Sequence, residues 1–308
     1  MPVLTYEQLT FLNSYSIVTE EPKNPLFTLE NIHKEFFLKD FLKLMMEITQ
    51  ASTEAAAISH FSCRFGLFVA TQFYFLTAYD EIWDGKLEDV RYFHVHEYGM
   101  DTLGTYITPT DFRYVEENER EYVISKILYQ AHQIIVQLRQ TTTISPLTLW
   151  ENIFGYMLWN YNVLLQNPLL ADRAFEDIEI LEDTKVWQRF SNKSWFFEYT
   201  KGKNPMELVN SPVRKSCCFT KDIPSLIQPL ILCVHGDLVG LLLHVTQIFS
   251  PIGIPVDKKL DKFGLLIDNF YGALSKNRLS PFVLVGLFFY LLSLFYSILY
   301  PNLLYHND

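Results

Sequence analysis

The fold is decided by residues 53–80, TEAAAISHFSCRFGLFVATQFYFLTAYD, which the pattern predicts to be one long helix. Apolar side chains occur on nearly every side of this helix: Ala55, Ala56, Ile58, Phe61, Leu67, Phe68, Val69, Phe73, Phe75 and Leu76. A helix that is apolar all round is typical of the centre of a core. We therefore expect the other elements to pack around it.

Three polar residues interrupt this apolar helix within about one turn, namely His60, Cys63 and Arg64. A buried arginine needs a compensating group, because an isolated charge is costly to remove from water. Arg64 therefore either pairs with an acidic side chain or faces an anionic ligand.

Four further helices are predicted on either side of the central one, over about residues 28–50, 114–140, 145–166 and 172–186. Between them the period changes to two over residues 90–108, with a turn near Gly99, which predicts an antiparallel hairpin. The expected fold class is mainly α (α+β): a helical body, a small antiparallel hairpin and a hydrophobic C-terminal helical tail.

The predicted hairpin carries His94 and His96 on one face of its first strand. This spacing can hold a metal ion, but the sequence offers no third ligand nearby. Ordinary strand histidines are the simpler interpretation.

Composition excludes some classes of function. The 308 residues carry a net charge of −10 and no block of Lys and Arg, so a nucleic-acid partner is not expected. The four cysteines are too few and too irregularly spaced for a secreted disulfide framework, which favours a reducing compartment. The N-terminus lacks the pattern of a cleaved signal peptide, so we expect a cytoplasmic body.

The C-terminal part differs in composition from the rest of the chain. No Glu follows Glu207, and residues 279–307 contain no Asp, Glu, Lys or Arg. Within them, residues 282–300 form an apolar and aromatic run, which is long enough to be a membrane span and could also be a buried core helix. We expect two regions, a helical body over 1–218 and a hydrophobic tail over 219–308.

Soft ligands are gathered at one place, where Cys217 and Cys218 follow Arg214 and Lys215. Nearby cations favour the thiolate form of cysteine. Adjacent cysteines rarely form a disulfide with each other, because the small ring strains the torsion about the sulfurs. Packing as small apolar side chains, a metal or iron–sulfur site, and a redox switch are the three alternatives for this pair.

Several stretches together resemble the FhuF-like family of ferric iron reductases, which is related to part of the siderophore synthetases. They are residues 51–56, 64–67, 149–152, 173–177 and 213–218. The resemblance implies a cytoplasmic or membrane-associated protein that binds a [2Fe-2S] cluster. Such a protein takes electrons from a donor and passes them to iron(III) held by a siderophore.

By this resemblance the cofactor-binding and metal-ligating residues are Cys217, Cys218 and Cys233, with Arg214 and Lys215 offsetting the negative charge of the thiolates. The family pattern ends in Cys-x-x-Cys, whereas this chain has Cys233 alone, so a fourth ligand is missing from this region. Cys63 could supply it in principle. The alternative function is a non-catalytic, membrane-anchored helical binding protein, or a degenerate relative without a cluster.

Overall fold

The computed structural model describes residues 3–97 and 100–208, and in them the expected mainly helical fold is confirmed. Its eight α-helices are Tyr6–Ser14 (α1), Glu35–Thr49 (α2), Glu54–Tyr79 (α3), Arg120–Thr141 (α4), Pro146–Leu165 (α5), Ala171–Glu182 (α6), Trp195–Thr200 (α7) and Pro205–Leu208 (α8). Four short 3₁₀ helices join them, at Leu29–His33, Pro109–Asp111, Glu117–Glu119 and Thr184–Trp187.

The central helix α3 has the bounds that its sequence predicts. The Thr53 hydroxyl accepts a hydrogen bond from the Ala56 amide at 3.2 Å and so caps the first turn. The helix ends at Asp80, whose φ of 50° is left-handed. Most of its side chains are buried, and its most extensive neighbour is α5. The prediction that this helix lies in the middle of the core is confirmed.

Two small sheets lie beside the helices. The first has the strand order β1, β5, β4, β2, from Ile17–Val18 (β1), Phe27–Thr28 (β2), Arg91–Glu97 (β4) and Met100–Tyr106 (β5). The second pairs Glu81–Trp83 (β3) with Phe112–Tyr114 (β6). β4 and β5 are neighbours, as the predicted hairpin requires, and β1 runs parallel to β5.

Two predicted helix starts are wrong, each for a local reason. The helix predicted from Thr28 begins at Glu35, because the Asn31 side chain accepts from the Thr28 amide at 2.8 Å and a 3₁₀ turn forms first. The helix predicted from Tyr114 begins at Arg120, because residues 112–114 pair with β3.

One predicted helix end is also wrong. The helix predicted to reach Val186 stops at Glu182, and Asp183 caps a 3₁₀ helix there by accepting from the Lys185 amide at 2.9 Å. The start of α5 is as predicted, with Ser145 as its cap and Pro146 in its first turn.

None of the helices in the described ranges is both long enough and apolar enough to cross a bilayer. The predicted span over residues 282–300, and the whole predicted tail over 219–308, lie outside the residues that the structure describes.

Candidate functional site on the central helix

The polar group that the sequence predicts on α3 is present and partly exposed. His60, Cys63 and Arg64 share one face of the helix, and each side chain is between buried and exposed. The hydroxyl oxygen of Thr102 on β5 lies 2.8 Å from His60 Nε2 and accepts from Arg64 Nε at 2.8 Å. Since this hydroxyl accepts from Arg64, it can donate its own proton to His60.

Arg64 reaches a second hydroxyl at the end of α1. Its Nη1 donates to Ser16 Oγ at 3.3 Å, and Ser16 has a left-handed φ of 56°. The guanidinium therefore connects α3 with β5 and with the turn between α1 and β1. Both of these contacts are with neutral groups, so neither is the acidic partner or the anionic ligand that the sequence predicts for Arg64. We call His60, Arg64, Thr102 and Ser16 the α3 polar group.

A second set of predicted residues lies deep in the core. Asn152 on α5 donates to the Ser62 hydroxyl at 2.6 Å and to the Ser59 carbonyl at 3.1 Å, and all three residues are buried. One turn along α3, a Cβ on Gly66 would lie only 2.9 Å from the Asn152 carbonyl oxygen. The resemblance segments 64–67 and 149–152 are thus in direct contact.

A third set forms a buried ion network. Arg120 Nε and Nη2 donate to the two carboxylate oxygens of Asp177, each at 2.6 Å, and Arg120 Nη1 donates to Asp80 at 2.8 Å. Thr77 also donates to Asp177 at 2.6 Å. Burial is the largest single effect and opposes the charge of Arg120, but its hydrogen bonds with Asp177 and the negative charges of Asp177 and Asp80 together raise its pKa. Asp177 therefore joins α3, α4 and α6.

Sequence reasoning missed Arg120, because its place in the first turn of a helix is known only once α4 is seen to begin at Arg120 and not at Tyr114. A cation in the first turn of a helix opposes the helix dipole, so it is unfavourable there without an acidic partner. Arg173, which belongs to the resemblance, lies at the edge of the same network, 3.2 Å from Asp80 and 2.6 Å from Glu117.

The hairpin histidines do not form a metal centre with the described residues. His94 Nε2 lies 3.0 Å from Asp101 Oδ1, and both side chains are substantially exposed. In the ranges 3–97 and 100–208, no group of three or more His, Cys, Asp and Glu side chains could hold a metal ion.

Cys217, Cys218 and Cys233, together with Arg214 and Lys215, lie outside the described residues. Cys63 is the one described cysteine, and its partly exposed side chain lies on α3 between His60 and Arg64. The described residues alone thus do not supply the donor set of a [2Fe-2S] cluster.

Comparison with known proteins identifies no relative. No protein-family model matches the chain, and no curated protein or solved structure is significantly similar to it. The fold defines the class, a mainly helical protein with two small sheets, and the resemblance to FhuF-like reductases stays a prediction.

Proposed function

We propose that this chain is a siderophore-related iron protein that binds a [2Fe-2S] cluster and releases iron from a ferric siderophore by reduction. The observation that carries the proposal is the α3 polar group, which brings the Arg64 guanidinium and the His60 imidazole of α3 together with the hydroxyls of Thr102 on β5 and Ser16 after α1. Such donors suit a ligand rich in anionic oxygens, as hydroxamate and catecholate siderophores are. Arg64 also belongs to a segment on which the resemblance rests.

The cluster, when bound, supplies a single electron that converts iron(III) to iron(II). The electron comes from a separate donor, and the oxygens of the siderophore hold iron(II) more weakly. Cys217, Cys218 and Cys233 would be thiolate ligands, with Cys63 as the candidate fourth ligand. Arg214 and Lys215 would offset the negative charge of the thiolates.

The proposal also gives the protein a location in the cell. The body is cytoplasmic, and residues 282–300 anchor it to the cytoplasmic membrane.

The alternative is a non-catalytic, membrane-anchored binding protein or a degenerate relative without a cluster. It is favoured by one observation, the single Cys233 where the family has Cys-x-x-Cys.

The decisive experiment is purification of the full chain without oxygen, followed by visible absorption and EPR spectra and by counting iron and sulfide per chain. We expect a [2Fe-2S] signal that Cys217→Ser abolishes. Loss of the signal in Cys63→Ser would identify the fourth ligand. Well-folded protein without iron or sulfide would refute the cluster and leave the binding-protein alternative.

The α3 polar group is tested separately, by titrating a ferric hydroxamate siderophore into the protein and following the quenching of tryptophan fluorescence. Replacing Arg64 with Gln should weaken binding about 10-fold or more, since a hydrogen bond to a charged group contributes about 1.5–3 kcal/mol. Arg113→Gln is the matched control, because Arg113 pairs with Asp84 and Glu119 elsewhere. Equal affinities for all three proteins would contradict this site.

A further inference from the structure

Ser16, in the turn after α1, has a backbone conformation that favours glycine. Its φ of 56° lies in the left-handed region, one residue beyond Tyr15, the C-cap of the helix. Glycine is the usual residue at this position, because a side chain with a Cβ is strained there. A residue that departs from a local backbone preference is a candidate for a functional role.

Three other described residues with a side chain have a left-handed φ, and each caps the end of a helix: Gln50, Asp80 and Lys201. The side chains of Gln50 and Lys201 are exposed. The Ser16 hydroxyl instead accepts from Arg64 Nη1 at 3.3 Å, which joins the turn after α1 to the central helix. This hydroxyl is what serine supplies at the strained position and glycine could not.

The backbone around Ser16 is held on both sides. The preceding Tyr15 is buried, and its hydroxyl donates to Asn160 on α5. The Ser16 amide donates to the Asn13 carbonyl at 2.9 Å, and the Ser16 carbonyl accepts from the Thr105 amide at 2.8 Å. These bonds fix the backbone of the turn and so place the Ser16 hydroxyl within reach of α3.

The Ser16 contact is one of two that hold the guanidinium of Arg64. The other is with the buried Thr102 on β5, whose hydroxyl accepts from Arg64 Nε at 2.8 Å. A single contact would let the planar group rotate, whereas contacts at two of its nitrogens define the orientation of its plane. A side chain that is already ordered loses less conformational entropy when it binds a ligand.

We infer that Ser16 is a positioning residue, which holds the Arg64 guanidinium in the orientation that binds the anionic oxygens of the ligand. Its effect on the ligand passes through Arg64, and its own backbone strain is the cost of placing the hydroxyl there. The inference rests on the proposed function, in which the ligand of the α3 polar group is a ferric siderophore.

The test measures ligand binding and stability in the same variants of the full chain, in mild detergent. Binding is followed by titrating a ferric hydroxamate siderophore, and stability by the thermal midpoint. Ser16→Gly and Ser16→Ala both remove the hydroxyl, so both should weaken binding about 3-fold or more. They differ in backbone strain, so the midpoint of Ser16→Gly should lie about 2–4 °C above that of Ser16→Ala.

Ser16→Thr is the rescue variant, because it keeps the hydroxyl while its β-branched side chain adds strain at a positive φ. It should bind the siderophore as the wild type does, despite a lower midpoint. Gln50→Gly is the matched control, since it changes another left-handed residue outside the α3 polar group, and it should leave binding unchanged. Binding that follows the midpoint and not the hydroxyl across these variants overturns the inference.

Combination with Arg64→Gln separates positioning from direct contact. Because Ser16 acts through Arg64, Ser16→Gly should weaken binding no further in the Arg64→Gln background. A further loss of the same size as in the wild-type background would mean that Ser16 itself contacts the ligand, and the positioning role would then be wrong.

The inference and the proposed function fail in different ways. Siderophore binding that is equal in wild type, Ser16→Gly and Ser16→Ala overturns the inference and leaves the proposed function standing. If the wild type does not bind the siderophore, the proposed function fails, and the same variants are titrated with inorganic phosphate, another ligand with anionic oxygens. Weaker phosphate binding by Ser16→Gly would support the positioning role, and binding of neither ligand would overturn it.

Discussion

Arg120 and Asp177 form the most deeply buried ion pair among the described residues, with side chains 2% and 1% exposed. We expect Arg120→Met to lower the free energy of unfolding by about 3–5 kcal/mol, because it leaves the Asp177 carboxylate buried without its main partner. Urea denaturation followed by far-UV circular dichroism measures this loss.

The control for this prediction is Arg113→Met. Arg113 pairs with Asp84 but is 35% exposed, so its loss should cost about 1 kcal/mol or less. The double variant Arg120→Met, Asp177→Leu should recover much of the loss, since it removes both buried charges. A double variant less stable than Arg120→Met alone would show that the ion pair itself stabilises the fold and does more than cancel its own two buried charges.

His132 on α4 has a ring nitrogen that makes no hydrogen bond with the described residues. Its ring stacks on Phe190 at 4.3 Å, and its Nδ1 is buried without a hydrogen-bond partner among the described residues. Burial lowers the pKa of His132, because the charged imidazolium is poorly solvated there. The unfolded state therefore binds this proton more readily than the folded state.

The sign of the resulting pH dependence follows from proton linkage. Because the unfolded chain binds more protons, the free energy of unfolding falls as the pH drops below the ordinary histidine value of about 6.5. We expect the free energy of unfolding to fall less for His132→Phe than for the wild type when the pH is lowered from 7.5 to 5.5. Urea denaturation at both pH values measures this difference. His33→Phe, on the first 3₁₀ helix, is the control. Identical losses in wild type and His132→Phe would refute the assignment.

The packing of α3 against α5 depends on Gly66. A Cβ at this position would lie 2.9 Å from the Asn152 carbonyl oxygen and 3.1 Å from the Ile153 Cα, and both neighbours are backbone atoms of a helix. We expect Gly66→Ala to destabilise the protein by about 1–3 kcal/mol through overpacking. In an exposed helix the same change would stabilise by about 0.5–1 kcal/mol. The sign of the shift in the thermal midpoint therefore decides this prediction.

The elements that could be predicted are those with long periodic patterns. The bounds of α3 and α5 follow from apolar runs of several turns and from side-chain caps at Thr53 and Ser145. β1 and β2 have two residues each, too few for an alternation to appear, and they form only through pairing with β5 and β4. The start of α4 also could not be predicted, because the pairing of residues 112–114 with β3 overrides the local helix preference.

The candidate site could be predicted only in part, for reasons that concern the whole molecule. The grouping of His60 and Arg64 follows from helical spacing alone, because residues four apart share a face. Their partners Ser16 and Thr102 are distant in sequence, and no local pattern indicates that a turn after α1 and strand β5 would meet α3. The same holds for Arg120, whose partner Asp177 belongs to another helix.

The apolar run at residues 282–300 gives a prediction for the whole molecule, since none of the described helices could itself cross a bilayer. We expect the full chain to sediment with membranes and to resist extraction by alkaline carbonate, because about 20 apolar residues suffice to span the hydrocarbon core. Leu291→Arg should shift the chain toward the extractable fraction, since a charge at the centre of a span is costly. Leu291→Ile is the matched control. If the wild type is fully extracted by carbonate, this run does not span the membrane, and the buried core helix becomes the better interpretation.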